Sequence, residues 1–193
     1  IENIRATLSN LSRERFFEAV RTLREARQIF ILGHRSAGAL ATYLGYYLQI
    51  MLRNARVLSH HAHLLEELMA AGQEDVVVGI TFPRYARATA EAFRLAAARG
   101  VPTILITDSV MSPLVEAADI VLTARSDSPS FADSLVAPLS LVNALITAVA
   151  LAQPERVRTA LREMEDLWDR YGTYLKEERR SDRLVPGSAT PGS

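Results

Sequence analysis

Residues 75–107, DVVVGITFPRYARATAEAFRLAAARGVPTILIT, decide the fold. Asp75–Ile80 is apolar without alternation, as in a strand covered on both faces of a parallel sheet. Ala86–Arg99 is Ala-rich and helical, and Gly100 closes it. Pro102–Thr107 then returns as a second strand. Two parallel neighbours need such a crossover helix.

The same rhythm extends in both directions. Gln28–Leu32 reads as a strand ending at Gly33, Ser36–Leu52 as a helix and Arg56–Leu58 as a short strand. His61–Ala71 places Leu64, Leu65 and Leu68 on one helical face. Pro113–Ala117 reads as a short helix and Asp119–Thr123 as a fifth strand. The expected fold is α/β: a five-stranded parallel doubly wound sheet flanked by N- and C-terminal helices. The N-terminal flank is Asn3–Leu11, then Ser12 as the N-cap of a helix reaching Ala26. At the other end Val157, Leu161, Met164, Trp168, Tyr171 and Leu175 form a heptad seam, which packs on its own domain or across a dimer. The organisation is residues 1–27 as flanking helices or linker, 28–153 as the sheet domain, 154–180 as a C-terminal helix and 181–193 as a polar, disordered tail.

Composition excludes several functions. A chain of 193 residues makes one well-packed domain. Lys plus Arg and Asp plus Glu are 22 each, so the chain lacks the cation surplus that gripping nucleic acid requires. There is no cysteine. The basic residues are 21 Arg and one Lys, Lys176, which removes a P-loop or Schiff-base lysine from the folded core. His60, His61 and His63 cluster, but no carboxylate stands at ligand spacing, so neither a metal nor another cofactor is expected. The first residue is Ile1, not Met, and no secretory signal follows. That suggests a piece of a longer protein, with the cytoplasm as default compartment. Ala37–Leu52 and Ser134–Gln153 carry no charge. The second holds Pro138, Ser140, Asn143 and Thr147 and has no basic flank, so no membrane is expected. Burial in the core or between subunits follows instead, with a homodimer or homotetramer as the expected assembly.

Ligands of an open parallel sheet bind outside the carboxyl ends of its strands, at the switch point. Four loops lie there. The first carries His34, Arg35 and Ser36 at a helix start, where free N–H groups attract anions and Ser36 can cap the helix or bind an oxyanion. The second carries Thr81, Phe82, Arg84 and Tyr85; a guanidinium fork at this mouth suits a carboxylate or phosphate. In the third, Asp108 and Ser109 offer polar groups, and Ser112–Pro113 reads as an N-cap followed by N1. In the fourth, Ser128, Ser130 and Ser134 precede a buried helix. One of Ser130 and Ser134 is expected to cap it, leaving the others for a polyol. Bridging of the two arginines to Asp108 or Asp127 is the structural alternative to ligand binding.

At these loops the chain resembles a sugar isomerase (SIS) domain. The runs IFILGHRSAGALATYLGYYL, DVVVGITFPRY, PTILITDSVMSPLVEAADIVL and SFADSLVAPLSLVNALITAVA are similar to the C-terminal half of RpiR-type transcription regulators. The resemblance implies an effector-sensing module for a phosphosugar or related small anionic, sugar-derived metabolite. It also implies a helix-turn-helix domain outside this chain as the part that meets DNA. SIS domains that bind phosphosugars usually carry Gly and Ser in the first loop and S-x-S-G-x-T in the second. Here Arg35 stands near the expected second Gly, while Thr81, Pro83, Arg84 and Ala86 occupy the Ser, Ser, Gly and Thr positions. The expectation is therefore that the backbone anion nest is largely lost and that guanidinium groups replace it. The alternative function, an aldose–ketose phosphate isomerase, needs a general base, and no Glu lies in the four loops. A purely oligomerising domain with a vestigial pocket is the third reading.

Overall fold

A computed structural model describes residues 1–58 and 63–175. The elements are α1 (Glu2–Asn10), α2 (Arg13–Glu25), β1 (Ile29–Gly33), α3 (Ala37–Leu52), β2 (Ala55–Leu58) and α4 (Leu64–Leu68), then β3 (Val76–Ile80), α5 (Arg87–Ala98) and β4 (Thr103–Thr107). A 3₁₀ turn at Val115–Ala117 leads to β5 (Ile120–Thr123), α6 (Val136–Ala152) and α7 (Pro154–Tyr171). All five strands are parallel, in the order β2-β1-β3-β4-β5. The order reverses between β1 and β3, so the crossovers leaving these neighbours cover opposite faces.

The uninterrupted apolar strands explain the two layers. Ile29, Ile31, Val76, Val78, Ile80, Ile104 and Ile106 face the core under α2, α3 and α6. Phe30, Leu32, Val77 and Leu105 face the smaller core under α4 and α5. Gly79 marks how tightly α5 sits: a Cβ there would come to 2.5 Å from the Phe93 ring. Gly33 does the same under α3, with a virtual Cβ 2.7 Å from Ala41 Cβ.

The uncharged helices bury their inner rows in the chain's own core, through Leu40, Leu44 and Leu48 of α3 and Leu141, Leu145 and Val149 of α6. Tyr46, Tyr47, Val136, Leu139 and Leu151 remain exposed. No single helix among the described residues is long and apolar enough to cross a membrane.

Three capping expectations fail and one holds. Ser12 caps α2, accepting from Arg15 N–H at 3.3 Å. Neither Ser130 nor Ser134 caps α6, which begins after Leu135 with no side-chain cap. Ser112 caps nothing; it is buried, and its carbonyl accepts from Val115 N–H at 3.1 Å. Ser36 occupies the N-cap position of α3 but makes no capping bond, because its backbone is already helical (φ −59°, ψ −37°). The C-terminal helix stops at Tyr171, short of residue 180, where Gly172 adopts φ 61°. Val157 and Ala160 are its only buried residues.

Candidate functional site

Adjacent strands β1 and β3 end together, with Gly33 opposite Ile80. The loops that leave them start α3 and α5, and neither helix has a side-chain cap. In the first loop Arg35 has φ 58°, the left-handed region, and Ser36 follows in the right-handed one. Among the described residues the N–H groups of Arg35, Ser36 and Ala37 find no acceptor. Successive left- and right-handed residues turn such N–H groups into a concave anion nest. In the second loop Arg84 also has φ 58°. The N–H groups of Arg87, Ala88 and Thr89 at the start of α5 likewise have no acceptor among the described residues. The expected loss of the nest is therefore corrected for the first loop. The chain keeps the glycine-type backbone at both positions and adds a guanidinium to each.

His34 closes β1 and is buried, with Nδ1 2.8 Å from Thr89 Oγ1 on α5. This bond ties the first loop to the helix that follows the second. An open groove beside it is lined by His34, Arg35, Ala86, Arg87, Ala88 and Glu91. Arg87 Nε donates to Glu91 Oε1 at 2.6 Å. Sequence reading missed Arg87, Thr89 and Glu91. The i,i+4 spacing of Arg87 and Glu91 was the available signal, since such pairs share a helix face.

Arg84 is exposed and does not line this groove, although its loop forms the wall at Ala86. Neither Arg35 nor Arg84 forms an ion pair with a described residue. The bridging alternative fails for a visible reason: the carboxylates it needed are engaged elsewhere. Asp108 Oδ1 accepts from Tyr85 Oη at 3.0 Å and from Thr107 Oγ1 at 3.1 Å, while Asp127 pairs with Arg125 at 3.0 Å. Burial, reinforced by the Asp108 carboxylate, raises the Tyr85 phenol above its ordinary value.

The other expected residues divide. Thr81 is buried at the end of β3, its N–H bonded to Ile106 O at 3.0 Å. Phe82 turns into the main core and is only 4% exposed. Its large apolar side chain gains more from burial than from lining a wet mouth. Ser109 Oγ accepts from Met111 N–H at 3.2 Å, which shapes the β4 loop. Ser128 Oγ accepts from Ser130 N–H at 3.2 Å, and Ser134 N–H bonds Ser126 O at 3.0 Å. This serine loop leaves edge strand β5 and is held by α1, through Asn3 to Asp127 O at 2.7 Å and Arg125 N–H to Thr7 Oγ1 at 3.0 Å. No hydrogen bond joins it to the first two loops among the described residues. Of the histidine cluster, His60 and His61 lie outside the described residues, and His63 is exposed before α4.

The family model for the SIS domain matches residues 22–148. The sugar isomerase domain of an RpiR transcription factor from Sphaerobacter thermophilus has 32% identity and a TM-score of 0.82, over 86% of this chain and 93% of that one. The Vibrio vulnificus NanR protein, complexed with ManNAc-6P, shares the fold with a TM-score of 0.79 at 19% identity, over 88% of this chain and 66% of that one. An HTH-type transcriptional regulator from Haemophilus influenzae is 28% identical over 123 residues, which are 60% of this chain and 40% of that protein. The chain thus spans less than half the length of that relative. A doubly wound sheet with the 2-1-3-4-5 order, two open anion-attracting helix starts and these likenesses agree: the chain belongs to the SIS domain family, in the form carried by RpiR-type transcription factors.

Proposed function

We propose that this chain is the effector-binding module of an RpiR-type transcription regulator, sensing a phosphorylated sugar or a related anionic metabolite. A helix-turn-helix domain outside these residues would meet the DNA, in the cytoplasm. One observation carries the reading: two arginines held in the left-handed region at the ends of adjacent strands, with no ion pair to a described residue. A non-glycine residue in that region costs about 1 kcal/mol or more. Arg53 bears the same cost (φ 61°) where it closes α3, and it pairs with Glu163; Arg35 and Arg84 bear it at the strand ends and find no carboxylate among the described residues, which leaves their donors open to an anion. The first-loop nest and helix starts would hold the phosphate. Arg35 and Arg84 would add charge-assisted bonds, with Ser36, Thr81, Tyr85, Asp108 and Ser109 around them. A ManNAc-6P complex of the NanR relative supports a phosphosugar as the first class to test.

Binding, not turnover, is the proposed role. Among the residues lining the groove beside His34, Glu91 is the one carboxylate, and Arg87 holds it at 2.6 Å. An isomerase base must instead be free to take a proton from carbon. The module is proposed to act as a homodimer or homotetramer, because two uncharged helices leave Tyr46, Tyr47, Val136 and Leu139 in solvent.

A thermal-shift screen of phosphosugars, sugar acids and sugar amines tests the reading. A ligand at a hundred times its Kd adds about 2.7 kcal/mol by mass action. Stabilisation by a phosphorylated or carboxylated sugar is the expected result. Stabilisation by neutral sugars alone, or conversion of an aldose phosphate to its ketose, would replace it.

A further inference from the structure

Helix α1 is docked by polar bonds more than by apolar packing. Thr7 is its one buried residue, while Leu8 is 68% exposed. Between α1 and α6 lies a cleft of about 60 Å³, edged by Ile4, Leu8, Ala137, Ser140 and Ala144. The small side chains of α6 leave that seam loosely filled. A helix of nine residues has little stability of its own, so its order depends on what holds it to the domain. Segments with few buried apolar contacts are the ones that open locally, ahead of global unfolding.

The bonds that hold α1 converge on one loop at the ligand end of the sheet. Asn3 and Thr7, four residues apart, share a helix face. Asn3 Nδ2 donates to Asp127 O at 2.7 Å. Thr7 Oγ1 accepts from Arg125 N–H at 3.0 Å and donates to Asn3 O at 2.7 Å. The dependence is mutual. Among the described residues, loop 125–134 hydrogen-bonds to no element other than α1. Its other bonds stay inside it: Ser134 N–H to Ser126 O, Ser130 N–H to Ser128 Oγ and the Arg125–Asp127 ion pair. On the far side of α1, Leu11 and Ser12 are extended, and α2 beyond them is anchored in the core by Ala19, Val20 and Leu23.

We propose that α1 is a latch on the β5–α6 loop: helix and loop release together about a hinge at Leu11–Ser12, while the sheet stays closed. The inference rests on the regulator reading above for its purpose and adds a route. A DNA-binding domain joined ahead of α1 would be moved by the mouth of the sheet through Asn3 and Thr7. Hydrogen exchange of the full chain, without ligand, tests the latch. Thr7→Val keeps the branched side chain and removes the hydroxyl. Exchange is expected to rise at least tenfold in residues 4–10 and by the same factor in 125–134, with β1, β3 and β4 still protected. Thr7→Ser keeps the hydroxyl and should restore both segments. Asn3→Ala, closer to the surface, should raise both threefold or more. Ser134→Pro works from the loop side. It deletes the N–H that closes the loop on Ser126, and Ser134 makes no hydrogen bond to α1. Residues 4–10 should nevertheless exchange faster. A rise confined to one segment means two independent units and overturns the proposal. An equal rise in the strands overturns it too, because no local opening then precedes global unfolding. Unchanged exchange in Thr7→Val, Asn3→Ala and Ser134→Pro is the third overturning result. The phosphosugar screen is read on the same samples: its failure counts against the regulator reading and leaves the exchange result standing.

Discussion

The two ends of the sheet treat their polar groups in opposite ways. At the amino end nearly every charge is spent on the fold. Asp75 is 1% exposed, and its oxygens accept from Arg27 Nε at 3.0 Å, Arg27 Nη2 at 2.7 Å and Gly72 N–H at 2.8 Å. Asp119 accepts from Thr103 N–H and Oγ1 at 2.8 and 2.9 Å, and Asn54 Nδ2 donates to Ala26 O at 2.8 Å. At the carboxyl end the starts of α3, α4, α5 and α6 carry no side-chain cap, and Arg35 and Arg84 have no ion-pair partner among the described residues. Buried polar groups are normally satisfied because leaving them bare is costly. The amino end is mostly self-satisfied, with Asn54 Oδ1 and Gln153 Nε2 as exceptions among the described residues, and the anion site is proposed at the end that keeps donors open at a backbone cost.

Asp75→Ala strikes the self-satisfied end and should have the largest effect on stability. It removes a buried side chain and leaves Gly72 N–H without its acceptor. Urea denaturation should show a loss of about 2–4 kcal/mol. The affinity of the folded protein for an anionic ligand should be unchanged. A large affinity change would mean that the two ends are coupled.

Arg84 offers the reverse test at the open end. Arg84→Ala should weaken binding of a hit from the screen roughly tenfold or more, as expected for a charge-assisted bond of about 1.5–3 kcal/mol. Arg84→Lys should recover part of this, since a point charge lacks the planar fork. Arg84→Gly should also lose affinity, yet gain up to about 1 kcal/mol of stability by relieving the left-handed backbone. Lower stability in Arg84→Gly, with affinity intact, would show that the arginine serves the fold after all.

Tyr85 ties the second loop to Asp108 in the third and belongs partly to each category, so its effect should be smallest. Tyr85→Phe removes the bond to Asp108 and should cost about 1 kcal/mol. The phenol is raised above its ordinary value of 10.0 in the fold, first by burial and then by Asp108. Its contribution is therefore complete below pH 10 and is lost as pH rises through the folded value. Stability of the native chain should fall in that range, and it should fall less steeply in Tyr85→Phe. Tyr43 is raised too, first by burial and then by Tyr47, and its contribution is lost in the same direction.

Most strand boundaries were legible to within a residue or two, because an apolar run between Gly and Pro signals is a local property. The short helix α4 was overextended, since Leu65 and Met69 stay exposed instead of extending its buried face. The serines were misread for a related reason. A Ser before a helical run favours a cap, but whether its side chain reaches the N–H groups depends on backbone angles set by the strand before it. Phe82 looked like a loop residue and is a core residue, because Thr81 still pairs with β4 and carries the chain inward.

The sequence by itself determined the parallel doubly wound sheet, the family, the four loops at the strand ends and the arginines in two of them. Periodicity, apolar runs and turn residues are encoded within a few neighbours. Tertiary structure alone decided how the polar groups pair. His34 meets Thr89 across 55 residues, and Tyr85 takes Asp108 across 23. With that carboxylate occupied, Arg84 is left without an ion-pair partner among the described residues. The left-handed turn at Arg35 and Arg84 was decided there too. A hydrogen bond between distant residues exists only once sheet and helices have packed. The same packing determines which charges are neutralised inside the chain and which remain for a ligand.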